Sequence, residues 1–117
     1  MISIKKCEDI SEIGFKPPLE AYALFEDGVL KLACIFEVHK NKTKILDIKT
    51  FCDAQKLYYD AVIRTVAAYS LSQGVECMVS SNDSIADILV SLGFTKENDV
   101  VSAKNALLVI HQCGEVK

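Results

Sequence analysis

Arginine is almost missing from this chain: Arg64 stands alone among thirteen basic residues, the other twelve being lysines. Without arginine forks for phosphates and base edges, and with a net charge of -3, the composition argues against nucleic acid as a partner. Glycine and proline together number only seven, while half of the residues are hydrophobic and a quarter are charged. That balance excludes a disordered tail, a collagen-like chain or a low-complexity linker. No apolar run reaches the roughly 18 residues that cross a bilayer, and Met1 to Lys6 holds no apolar core of the kind a secretory leader needs. The expectation is a cytoplasmic protein with no membrane partner. Cysteines occur at 7, 34, 52, 77 and 113, an odd number with no Cys-x-x-Cys pair, so neither a disulfide framework nor a zinc site is expected. Cys34 and Cys77 lie in apolar runs and read as packed thiols, and neither His39 nor His111 shares a local signature with a cysteine nucleophile.

What is present fits one domain over residues 1–117. Met1 to Lys6 alternates as a first strand, and residues 8–19, with Gly14 and Pro17-Pro18, have room for at most one helical turn. Ala21 to Glu26 reads as a second strand. The Asp27-Gly28 pair that follows is a tight-hairpin signal. In the third strand Leu30, Leu32, Cys34, Phe36 and Val38 share one face, while the other mixes Lys31, Ala33, Ile35, Glu37 and His39. Lys40 to Thr43 closes a second hairpin. The return, Lys44 to Cys52, sets Leu46, Ile48, Thr50 and Cys52 against Ile45, Asp47, Lys49 and Phe51.

Asp53 is a suitable N-cap for a long helix ending at Gly74, with Tyr58, Val62, Thr65, Val66 and Tyr69 as its stripe. Val75 to Val79 reads as a buried strand. A second helix opens after Ser80-Ser81-Asn82, carries Ile85, Ile88, Leu89 and Leu92 at helical spacing, and stops at Gly93. Val100-Val101 and Ala106 to Ile110 read as the last two strands. An antiparallel start followed by a helical crossover requires an α/β fold with a mixed central sheet of six or seven strands, flanked by two main helices.

This order, with the segment from Asn82 to Ser91-Leu92-Gly93-Phe94, resembles the GNAT superfamily of acyl-CoA-dependent N-acetyltransferases. The resemblance runs from the second strand to the C-terminus. It implies acetyl-CoA or another acyl-CoA as donor, an amine acceptor, and a cofactor grip at Gln55, Lys56 and Asn82. It also implies a general base near the fourth strand, for which Asp47 and Glu37 are the acidic pair. The plainer reading of that pair is exposed cross-strand charge beside Lys49 and Lys31.

Three departures from the family stand out. No glycine occurs in residues 54–60, where family glycines admit the CoA pyrophosphate, and Tyr58, Tyr59 and Asp60 occupy the turn instead. Leu89 stands where the family carries a thiolate-protonating Tyr, and the Ala of that helix is replaced by Ile85. The two family helices after the first strand are reduced to residues 8–19. Two functions stay open on these grounds: an acyl-CoA-dependent N-acyltransferase, or a catalytically degenerate GNAT-like binding or assembly module. The shortened acceptor side leaves Ala33, Ile35, Ile45 and Phe51 without cover, which predicts a homodimer.

Overall fold

The computed structural model describes residues 2–7, 19–51 and 56–109. Seven strands form one sheet: β1 (Ile2–Cys7), β2 (Glu20–Glu26), β3 (Val29–Val38), β4 (Lys42–Thr50), β5 (Cys77–Ser80), β6 (Thr95–Glu97) and β7 (Val100–Lys104). Their spatial order is β1-β2-β3-β4-β5-β7-β6, antiparallel throughout except where β4 meets β5. That one parallel pair needs a crossover, supplied by α1 (Lys56–Ser72); α2 (Asp83–Ser91) joins β5 to β6.

Local chemistry sets the corners. Asp27 and Gly28 both take positive φ, 52° and 82°, which is the twist a two-residue hairpin requires. Each helix ends in the same way. Gly74 donates to the Leu71 carbonyl and Val75 to that of Ser70; Gly93 donates to Val90 and Phe94 to Leu89. In both, the glycine holds a left-handed φ and the next apolar residue folds back into the core. The Leu-Gly-Phe ending is therefore a helix stop with a hydrophobic anchor.

α1 and α2 cover one face of the sheet, where Leu24, Leu32, Cys34, Phe36, Ile45 and Ile48 meet Val62, Ile63 and Val66 of α1 and Ile85 and Leu89 of α2. A smaller cluster of Ala21, Ala23, Ala33 and Ile35 lies on the opposite face, with Phe25, Leu30 and Leu46 against it.

Two faces differ from simple alternation, each because one strand carries an extra residue. Lys31 is unpaired between Leu30, opposite Phe25, and Leu32, opposite Leu24, so Leu30 turns to the smaller cluster, away from Leu32. Leu46 is unpaired between Ile45, opposite Phe36, and Asp47, opposite Ile35. Ile45 and Ile48 therefore share the main core and Leu46 faces away, the reverse of the expected grouping.

The C-terminal part also differs. Ser102, read as a break, pairs with both Val79 and Thr95 inside β7. Residues 105–109 are helical, not a strand. Ala106, Leu107 and Leu108 are strong helix formers, and Asn105, wholly buried, anchors the start through its amide to the Val75 carbonyl at 3.0 Å and its N–H to Glu76 at 2.7 Å. The reading of residues 8–19 as a reduced pair of helices, and Asp53 as N-cap, fall outside the described residues apart from Leu19.

Candidate active site at the parting of β4 and β5

β4 and β5 pair over three rungs only, Lys42 to Lys44 with Cys77 to Val79. Beyond them the extra residue at Leu46 bends β4 away, and side chains bridge the opening where backbone pairing ends. Ser80 Oγ donates to the Ile45 carbonyl at 2.9 Å, and Asn82 Nδ2 donates to the Leu46 carbonyl at 2.8 Å. Asn82 serves two elements at once. Its Oδ1 caps α2 by accepting from the Ser84 N–H at 2.9 Å, and it also accepts from the Ser84 hydroxyl at 2.7 Å.

Asp47 sits at this opening, half-buried. Its Oδ1 accepts from the Ile48 N–H at 2.9 Å and lies 3.4 Å from Asn82 Nδ2. Its other oxygen makes no hydrogen bond among the described residues. Glu37 lies on the same sheet face, opposite Lys44, with the His39 Nε2 3.7 Å from its carboxylate. The structure thus joins Asp47 to Asn82 directly. Glu37 sits further toward the β3–β4 turn, beside His39.

At the start of α1, Lys56 and Leu57 are exposed, and the first turn carries no acidic residue. Gln55 lies outside the described residues. The two tyrosines expected to crowd this turn pack on the core, whereas Asp60 borders the groove beside Lys56. Tyr58 turns inward, its hydroxyl donating to Glu26 Oε1 at 2.6 Å, and Asp60 is ion-paired one helical turn on with Arg64. The hydrogen bond to Glu26 holds the Tyr58 phenol above its usual range. Helix-terminal N–H groups with an adjacent lysine and a neutralised aspartate suit a phosphate, even without glycine. Lys56 also lines a largely apolar groove of about 950 Å³ that runs to the end of α2 and residues 104–108. Asn82 and Asp47 are not among the residues that line that groove.

Leu89 is fully buried in the main core and offers no proton at the opening. Cys34 is likewise buried, and burial first, then the Asp47 charge, pushes its thiol far above the range in which it ionises. His111 lies outside the described residues. No group of three or more His, Cys, Asp or Glu is placed to hold a metal ion among the described residues. Ser80 and the extra residue at Leu46 were the parts that sequence reasoning missed: a serine ending a strand and a leucine inside one carry no pattern that marks them.

No family model and no curated protein matches this sequence. Solved structures do match in shape. The ribosomal-protein-S18-alanine N-acetyltransferase from Escherichia coli aligns with a TM-score of 0.67 at 14% identity, over 89% of this chain and 94% of that one. An N-acetyltransferase from Staphylococcus aureus Mu50 aligns at 0.65 and 12%, over 91% and 99%. The PaiA N-acetyltransferase from Thermoplasma acidophilum, solved in complex with coenzyme A, aligns at 0.62 and 12%, over 81% and 65%. The chain has the fold of the GNAT acetyltransferases, a mixed α/β sheet; at these identities the likeness is one of fold. Among the described residues no helix is long and apolar enough to cross a membrane.

Proposed function

We propose that this chain is a small acyl-CoA-dependent N-acyltransferase whose reaction takes place where β4 and β5 part. The observation that carries the reading is Asp47: a half-buried carboxylate, held by one oxygen and open at the other, beside two parallel strands that stop pairing. The acyl donor supplies its acyl group as a thioester. For the acceptor, a protonated amine is not a nucleophile, so a carboxylate must first take its proton. The open oxygen of Asp47 is suited to that, and Asn82 and the Ile48 N–H fix the direction in which it points. The nitrogen then forms a bond to the acyl carbon as the carbon–sulfur bond breaks; the second proton, shed by the new amide nitrogen, passes through water to the thiolate, since Leu89 has none to give, and Asp47 returns the first proton to solvent. Lys56 and the first N–H groups of α1 are suited to the donor's phosphates.

The burial of Leu89 favours one alternative, a binding module that keeps the fold without turnover. Release of free thiol from acetyl-CoA, followed over a panel of amines, separates the two. The proposal expects release well beyond one equivalent per chain, falling roughly 10²–10⁴-fold in Asp47→Asn. Release that never exceeds one equivalent, or an Asp47→Asn protein as active as the parent, contradicts it.

A further inference from the structure

The face that presents Asp47 and Glu37 also carries a feature that the transfer reaction does not use. Residues 39–44 hold three lysines in a chain whose net charge is negative. Thr43 points into the main core, where its hydroxyl lies 2.5 Å from that of Ser70, so Lys42 and Lys44 on either side of it point to the opposite face. That is the side of Glu37, which pairs with Lys44. There Lys40, Lys42 and Lys44 line a groove of about 530 Å³ with His39 and Ser81, while Val79 and Val100 add apolar lining. None of the three lysines is in an ion pair or hydrogen bond with another side chain among the described residues. Val100 remains 41% exposed, although it borders a concave surface.

We infer that this groove selects the acceptor: an amine that carries a phosphate group, the phosphate seated among Lys40, Lys42 and Lys44, on a carbon skeleton long enough to bring the amine to Asp47, which lies outside the groove's lining about 10 Å along β4 from Lys44. The inference rests on the acyltransferase reading and names the substrate class of that same site. Three ammonium groups offer donors alone, and they match a doubly charged oxyanion better than a single carboxylate. The groove has the volume of a small-molecule site, and its valines suit the carbon skeleton between phosphate and amine. The phosphate is bound and not transferred.

Two measurements test this, the first independent of catalysis. Titration with inorganic pyrophosphate, followed by backbone amide shifts, should perturb residues 39–44 and 79–81. Its affinity should fall roughly tenfold or more in the Lys42→Gln/Lys44→Gln variant, as expected for losing charge-assisted contacts, and stay unchanged in Lys96→Gln on β6. No perturbation at millimolar pyrophosphate, shifts confined to the start of α1, or equal affinity in the double variant would overturn the inference. So would a short DNA duplex that binds the same face more tightly than pyrophosphate does, because the surface would then serve a macromolecule. The second measurement compares 6-aminohexyl phosphate, whose chain is long enough to span the groove and Asp47, with 6-aminohexanol as acceptors of the acetyl group. A kcat/KM ratio of about ten or more, collapsing toward one in the double variant, supports the inference; a ratio near one in the parent overturns it. If neither amine is acylated while other amines of the panel are, the acceptor assignment fails and the acyltransferase reading stands; if no amine is acylated while pyrophosphate binds as described, the acyltransferase reading fails and the groove is an anion site alone.

Discussion

Leu89 and Asp47 show how far single residues carry the account. Leu89→Tyr places the family's phenol at the expected sequence position, but the side chain there is fully enclosed. The larger ring overpacks the core by about 1–3 kcal/mol and buries a hydroxyl with no partner, so a clear fall in melting temperature is expected with no gain in turnover. Thermal unfolding together with thiol release reads both. Asp47→Asn should do the opposite, lowering turnover roughly 10²–10⁴-fold at nearly constant melting temperature, because the amide oxygen still accepts from the Ile48 N–H. Asn82→Ala removes a helix cap and a bridge to β4 together. It should cost about 1–2 kcal/mol or more in stability, read by denaturant unfolding, whether or not the donor binds. At this scale the sequence was readable where a residue has a local duty. Asn82 opens α2, Gly74 and Gly93 close helices, and Asp27-Gly28 makes a hairpin. Tyr58 was readable as part of the buried stripe of α1, but its partner Glu26, across the fold, was not.

Among the elements, α1 is held across β2 by two hydroxyls. Tyr58 donates to Glu26, and Tyr69 donates to Glu20 at 2.7 Å while accepting from Lys6 at 2.8 Å. Burial pulls the Lys6 ammonium down, but its hydrogen bonds to Glu20 and Tyr69 outweigh that and hold it above its ordinary 10.5. A pKa raised on folding gives stability that is fully present below the unfolded value and is lost as pH rises through the folded one. For Lys6, and for Tyr58 with its ordinary 10.0, that window is alkaline. These groups therefore leave the melting temperature flat between about pH 7 and 9 and lower it above about pH 10. Tyr69→Phe should cost about 1 kcal/mol at neutral pH and reduce the alkaline fall, read by melting curves across that range.

The first five strands were legible in place and order because alternation and turns are local, whereas β6 went unread and the strand expected from Ala106 is helical. Their faces were not legible at Lys31 and Leu46, since an unpaired residue shows only in its partner's register. The apolar run from Ala106 was ambiguous for the same reason: a short hydrophobic stretch suits helix or strand until its neighbours decide.

At the scale of the whole molecule, seven strands and two main helices follow the order that the sequence implies. The apolar-patch argument for a homodimer does not survive. Ala33 and Ile35 are already buried within one chain, Ile45 belongs to the helix-covered core, and only Phe51 is exposed. The exposed leucines and valine of greater consequence, Leu57, Val90 and Leu107, instead border the groove beside Lys56. Neither Asp47 nor Asn82 lines that groove, so the candidate site was legible as residue types and not as an arrangement.

On the proposed reading, this arrangement takes an acyl-CoA donor without the glycines that usually admit it. Isothermal titration of the chain with acetyl-CoA should then show a one-to-one complex with a dissociation constant between about 1 μM and 1 mM, the span of ordinary enzyme substrates, weakened at least severalfold by Lys56→Glu. No heat of binding at millimolar acetyl-CoA, or binding indifferent to the charge at position 56, would contradict it.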